Sequence, residues 1–263
     1  MKKYVIYFCL LALAVTACHK TKTDVDSNSV TPTPDEPMVK KYLVKEYYYG
    51  YPNKPIKVIE WNEDYSKINH ISTYQNTYYQ LDFDFEYYGN DSMQVTLSAP
   101  DTAWSMALFS NYICHFNEFG RIATIDYYCN DEKTRTDSYG YDSSKKLVSV
   151  WHDYYTEGVE GNGYRMVWDG DNVIKECSWS GEVINSYYGF TDLYHPYYTI
   201  PYMLESGDCY HGLELTRPLW KNMYTQNSQQ GYYEGDEDGY VIKGCHITLE
   251  GDTIPERCYE YLK

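Results

Sequence analysis

Three stretches of this chain share one pattern. An aromatic residue precedes Asn or Asp, a short polar turn follows, an apolar residue comes six after the aromatic, and another comes three beyond that. Phe116-Asn117 with Ile122 and Ile125 is the clearest copy; Tyr141-Asp142 with Leu147 and Val150, and Trp168-Asp169 with Ile174 and Cys177, repeat it. Asn, Asp and Gly bend a backbone, and the apolar residues seat what comes next, so each copy predicts the end of one β-strand, a turn and the start of another. With Trp61 and Tyr88 the anchors fall at gaps of 27, 28, 25 and 27 residues, room for two strands and two turns in each. Short connections between successive strands favour an antiparallel meander, and a hairpin-sized unit buries its face only against neighbours.

Strand periodicity fills the gaps. Leu81, Phe83, Phe85 and Tyr87 alternate with Gln80, Asp82, Asp84 and Glu86, which gives one dry face and one wet face. Met93-Gln-Val-Thr-Leu97 and Tyr164, Met166 and Trp168 do the same, while no helical period runs ten residues beyond the N-terminus. Tyrosine supplies 34 of the residues against 7 Phe and 6 Trp. A ring that ends in a hydroxyl suits half-wetted positions on a sheet. The expectation is an all-β chain, an antiparallel meander of repeated hairpins forming a long curved sheet or partial barrel, and soluble. It occupies residues 40–263 as a single domain, with an irregular segment over 190–230 that carries Pro196, Pro201 and Pro218 and some local helix or turn. A membrane barrel needs an uninterrupted apolar lipid face, which Lys57, Glu60, Arg165 and Lys175 interrupt.

The N-terminus reads as an address. Lys2 and Lys3 precede an apolar run from Tyr4 to Ala14, too short for a comfortable membrane span, and Val15-Thr16-Ala17-Cys18 follows. That ending resembles the lipobox of bacterial lipoproteins, which implies a signal over residues 1–17 and lipidation of Cys18 on its sulfur and amine. Residues 18–39, rich in Ser, Thr, Asp and Pro, then form a flexible tether from the lipid. Several acyl chains make membrane attachment stable. Loss of residues 1–17 removes two lysines and takes the formal charge from −16 to −18, which repels phosphate backbones and argues against nucleic acid.

The lipobox, the Thr/Pro tether, the aromatic-Asp/Asn turns and the closing Asp236-Glu-Asp-Gly-Tyr-Val-Ile-Lys243 hairpin together resemble a Bacteroides-type prolipoprotein family of unknown function. The family is described as having a porin-like antiparallel β fold. The resemblance implies an outer-membrane, lipid-anchored location, with the periplasmic and cell-surface faces both open, and brings no catalytic residues with it.

Chemistry-bearing residues are scattered rather than clustered. Beyond Cys9 and Cys18 stand Cys114, Cys129, Cys177, Cys209, Cys245 and Cys258, and six thiols allow 15 pairings. A two-residue turn at Gly251-Asp252 places Cys245 opposite Cys258, the one candidate disulfide, although Pro255 then falls on a hydrogen-bonding site. Two buried free thiols are the alternative. No metal or cofactor is expected. Cys114-His115 and Cys245-His246 point to opposite faces of a strand, and Cys209-Tyr-His211 lacks further ligands. Glu234-x-Asp236-x-Asp238-Gly239 starts like a calcium loop, but its twelfth position is Cys245, so a plain glycine turn is the better reading. No G-x-S-x-G, H-E-x-x-H or G-x-x-x-x-G-K is present. The chain therefore reads as a lipid-anchored envelope protein with a non-catalytic binding or structural role, its rings suited to a glycan or protein partner. An envelope glycan hydrolase and a purely architectural sheet are the alternatives.

Overall fold

The computed structural model describes residues 39–75, 79–98, 111–198, 200, 203–206, 213–216, 221–226, 231–247 and 253–263. The strands of the first half are β1 (Tyr42–Tyr48), β2 (Pro55–Trp61), β3 (Ile68–Gln75), β4 (Tyr79–Tyr88), β5 (Ser92–Ser98), β6 (Asn111–Phe116), β7 (Ile122–Cys129), β8 (Glu132–Tyr141) and β9 (Leu147–Tyr154). Those of the second are β10 (Asn162–Asp169), β11 (Asn172–Ser178), β12 (Val183–Tyr188), β13 (Met203–Ser206), β14 (Leu213–Thr216), β15 (Thr225–Gln226), β16 (Gly231–Gly235), β17 (Val241–Ile247) and β18 (Thr253–Leu262).

Strands β1 to β12 pair in sequence order as an antiparallel meander, and β18, β17 and β16 continue the sheet on the far side of β1. Fifteen strands make this run, and the two-residue β15 extends it beside β12 to sixteen. No strand ladder closes it into a barrel among the described residues. Its edges nonetheless face each other: β15 and β16 are five residues apart in sequence, a reach of no more than about 18 Å, and the Tyr233 hydroxyl donates to the Tyr224 carbonyl at 3.1 Å. A sheet of this width brings its ends together only by curving.

Five turns share one geometry, and three of them follow the repeat's Trp61, Phe116 and Tyr141. In four of them, Asn117, Asp142, Ser178 and Asp236 each donate their N–H to the carbonyl four residues on and accept the N–H of the residue three on. Their side-chain oxygens accept the N–H four residues on as well. The residue three on lies in the left-handed region: Gly120 at φ 68°, Lys145 at 64°, Gly181 at 94° and Gly239 at 84°. Asn62 makes the same loop one residue longer, bonding Lys67 and placing Tyr65 at φ 56°, which is why Trp61 reaches Ile68 late.

Aromatics at the strand ends have their own task. Trp61 Nε1 donates to the Leu43 carbonyl at 2.9 Å, the Tyr87 hydroxyl to Ile68 at 3.0 Å, and the Tyr141 hydroxyl to Ile122 at 2.7 Å. Trp168 Nε1 reaches the Leu147 carbonyl and the Tyr261 hydroxyl the Val241 carbonyl, both at 2.7 Å. Each ring thus packs on the core and locks a neighbouring hairpin, a use for an apolar ring with a polar tip.

Two parts of the chain depart from the common loop. Trp168-Asp169 ends one strand, turns and opens the next as its pattern predicts, but by a two-residue Gly170-Asp171 turn rather than the loop of Asp142: Asp169 pairs with Asn172, and β11 begins there. The irregular segment 190–230 has local turns, with Tyr198 bonded to His195 and Ile200 to Tyr197, and no helix among its described residues; β13 and β14 form a separate antiparallel hairpin. Much of what remains is a strap. Thr191, His195 and Met223 exchange backbone hydrogen bonds between the 191–195 and 221–223 stretches, and the Tyr194 N–H reaches the Gly239 carbonyl at 2.8 Å. Asn172 Oδ1 accepts the Lys221 and Asn222 N–H groups at 2.8 and 3.0 Å. The strap therefore links the β10–β11 turn to the β16–β17 turn. At Gly235 a Cβ would stand 2.3 Å from Leu193 Cδ2, so the strap's leucine packs directly on this glycine and would have to shift for a larger residue.

The buried face runs across the strands in rows. Val95, Tyr112 and Tyr127 are opposite one another on β5, β6 and β7, as are Met93, Cys114 and Ile125, and all six are 0% exposed. Full burial of an aliphatic or aromatic side chain stabilises by about 1.5–3 kcal/mol, so this face carries the fold.

Candidate functional site

Charged residues also lie on the buried face, in two groups. In β8, Arg135, Asp137 and Tyr139 alternate inward, while Thr136 and Ser138 point out. Asp137 extends the Met93–Cys114–Ile125 row and is 0% exposed. His152, its partner on β9, places Nδ1 2.6 Å from Asp137 Oδ1. Arg135 adds Nε at 3.0 Å from Oδ1 and donates from Nη2 to Oδ2 at 3.1 Å. Its guanidinium stacks 3.9 Å from the Tyr127 ring centroid. Burial alone would weaken the Arg135 cation, but Tyr127 and Asp137 outweigh it and hold the guanidinium charged.

The second group joins sheet and strap. Glu46 on β1 lies between Tyr259 on β18 and Lys57 on β2, and is 1% exposed. Arg257 donates to its Oε1 and the Tyr197 hydroxyl, from the strap, to its Oε2. Lys57 Nζ sits 3.3 Å from that hydroxyl and 4.5 Å from the centre of its ring. Burial pushes the Glu46 carboxyl up, but Lys57, Arg257 and the two hydrogen bonds prevail and hold it below the usual carboxylate range. His195, two residues before Tyr197, stacks on Tyr224 at 5.9 Å and accepts the Tyr197 N–H at Nδ1. Burial lowers its pKa to about 4, with Glu46 opposing the effect and Lys57 adding to it. Accepting at Nδ1 suits the neutral ring.

These groups have the elements of acid–base chemistry, a carboxylate orienting an imidazole above all, yet both oxygens of each carboxylate are already engaged by cations or hydroxyls. The candidates read from the sequence are arranged differently. Asp236 and Asp238 flank the Lys41 ammonium, each at 2.6 Å, so a side-chain cation of the chain itself stands where a calcium ion would. Burial disfavours that ammonium, but the two carboxylates prevail and raise its pKa. Asp236 Oδ1 meanwhile accepts the Asp238 and Tyr240 N–H groups, making the loop a glycine turn. Cys114 is buried while the His115 side chain is half exposed on the other face.

Cys245 and Cys258 are free thiols. Ile247 pairs with Thr253, whereas a two-residue turn at Gly251-Asp252 would set it opposite Glu256. A bulge after Gly244 then sets Cys258 opposite Lys243 and Cys245 opposite Pro255. Proline has no N–H for the ladder, and the register shifts one residue pair before Pro255. Cys18, Cys209 and His211 lie outside the described residues, as does the Gly251-Asp252 turn itself.

Arg135, Asp137, His152, Glu46, Tyr197, His195 and Arg257 carry no motif that singles them out in the sequence. The inward Arg135-x-Asp137-x-Tyr139 alternation is the available signal for the first group; nothing local marks the second, whose Glu46 and Arg257 are 211 residues apart.

No family model matches the chain, and no curated protein matches it in sequence. Among solved structures, a porin-like protein from Bacteroides vulgatus ATCC 8482 is similar over 85% of this chain and 99% of its own, at 13% sequence identity and a TM-score of 0.47.

Proposed function

We propose that this chain is a lipid-anchored outer-membrane protein whose sheet has a non-catalytic binding or structural role. Anchoring rests on the basic start, the short apolar run and the lipobox-like Val15-Thr16-Ala17-Cys18, with residues 18–39 as the tether. The non-catalytic reading is carried by one observation: the pair best suited to proton transfer, Asp137 and His152, is buried and tied to Arg135. A catalytic base has to reach a proton on substrate, and this imidazole is 7% exposed on the dry face of the sheet.

Residues 19–263, incubated with a panel of soluble polysaccharides, will release no reducing ends. Release that Asp137→Asn abolishes, in a variant that remains folded, would replace this reading with the envelope glycan hydrolase. Protease treatment of intact cells reads out the face: digestion of the domain places it outside, and protection places it in the periplasm.

A further inference from the structure

The shared loop geometry makes one residue conspicuous. Directly after the turn-forming Asn, Asp or Ser come Glu63, Glu118, Ser143 and Glu237 in four of the five loops, all polar side chains. After Ser178 comes Trp179, 44% exposed. An indole held open to water by a rigid turn is poorly explained by the turn alone.

Its surroundings are built. Trp151 meets Trp179 edge-on, with ring centroids 4.9 Å apart and planes at 67°. Trp151 is itself fixed, since its Nε1 donates to Asp153 Oδ1 at 2.7 Å. A Cβ at Gly161 would meet the His152 carbonyl at 2.9 Å and Trp151 Cζ2 at 3.0 Å, and one at Gly163 the Val150 carbonyl at 2.4 Å and Trp151 Cε3 at 2.9 Å, so both the close strand pairing and the indole use the space these glycines leave. The Arg165 guanidinium lies 4.4 Å from the Trp179 ring centroid. Arg165 is exposed and, among the described residues, makes no ion pair, in a chain with 38 acidic side chains against 22 basic ones. Register puts these groups on the outer face: Trp151 pairs with Gly163 and Arg165 with Ser149, while Val150 and Met166 face the core.

We propose that Trp151, Trp179, Arg165 and Asp153 form a saccharide-binding site, with a pyranose ring stacked on the open indole of Trp179. The C–H face of a pyranose is apolar and matches an aromatic face, while its hydroxyls need donors and acceptors at the rim. Arg165 supplies donors and Asp153 Oδ2 an acceptor. A protein partner would call for a wider desolvated apolar core than two indoles provide, and the strongly negative chain disfavours nucleic acid and anionic headgroups. Neutral and uronate-containing sugars share the stacking chemistry; the guanidinium also suits a carboxylate. The site stands apart from the anchoring proposal, which its failure would leave untouched.

Titration of residues 19–263 with neutral and uronate oligosaccharides, followed by calorimetry and tryptophan emission, tests it. At least one class will bind and shift the emission, and Trp179→Ala will weaken that binding by about tenfold or more with an unchanged melting temperature. Arg165→Gln tells the classes apart, costing most where a carboxylate is read. No binding by either class at millimolar concentration overturns the proposal, as does wild-type affinity in a folded Trp179→Ala variant. Polysaccharide hydrolysis in the separate product-release assay would bear on the non-catalytic reading and not on this site.

Discussion

At the residue scale the sheet depends on a few conformations and tips. Gly120 sits at φ 68° with nothing within 4 Å of where a Cβ would stand, so its requirement is purely conformational. Gly120→Ala is expected to cost about 1–2 kcal/mol, read by urea unfolding, with no change in the slope of the transition. Tyr141→Phe keeps the ring and removes the bond to the Ile122 carbonyl, for a loss of about 1 kcal/mol. Unchanged stability in both variants would show that the turns and their aromatic locks are incidental. Asn117, Asp142 and the aromatics before them are legible in the sequence because their task is local. The Ser178 and Asp236 loops escape the same template, since Cys177 and Gly235 stand where it asks for an aromatic, although the backbone does the same thing there.

At the scale of elements, the strap and the buried ion groups decide stability. Asp137→Asn leaves Arg135 without its carboxylate in a dry environment, and the expected cost is about 3–5 kcal/mol, measured by chemical denaturation. Acid acts on the strap through two groups. His195 has a folded pKa of about 4 against an ordinary 6.5, so between these values the unfolded chain holds a proton that the folded chain refuses. Its contribution is complete above pH 6.5 and falls as the pH drops toward 4. Glu46, depressed in the fold, contributes fully above its ordinary value of 4.5 and loses that contribution as the pH falls through its folded value. Stability should therefore decline from neutral pH downward, and His195→Phe should flatten the part between pH 6.5 and 4. An unaltered slope in that variant would remove His195 from the explanation. Beyond the Arg135-x-Asp137-x-Tyr139 alternation, none of this is legible in the sequence, because these partners meet only after the strands have been set in register. The disulfide register fails for a related reason: the bulge beside Gly244 and the Ile247–Thr253 pairing are consequences of strand pairing that a symmetric count about Gly251-Asp252 does not contain.

At the scale of the molecule, period-two alternation and evenly spaced turns are enough to specify an antiparallel meander, and the structure has one, from β1 to β12. That β18 returns to pair with β1, and that a strap ties the β10–β11 turn to the β16–β17 turn, depends on contacts between distant parts of the chain. Function is legible to a different depth. The proposed address rests on the first eighteen residues, while the Trp151–Trp179 platform stands out only once the five loops share one geometry and a single one of them carries an indole. The central functional proposal is that this sheet is held at the membrane by Cys18. Intact mass and N-terminal analysis of the chain recovered from bacterial envelopes, beside Cys18→Ser, tests it most directly. The expected result is a mature chain that begins at Cys18 with acyl chains on it and fractionates with the outer membrane, and a Cys18→Ser variant that is neither acylated nor retained there. An unacylated wild-type chain, beginning at Met1 or cut at another residue, would contradict it.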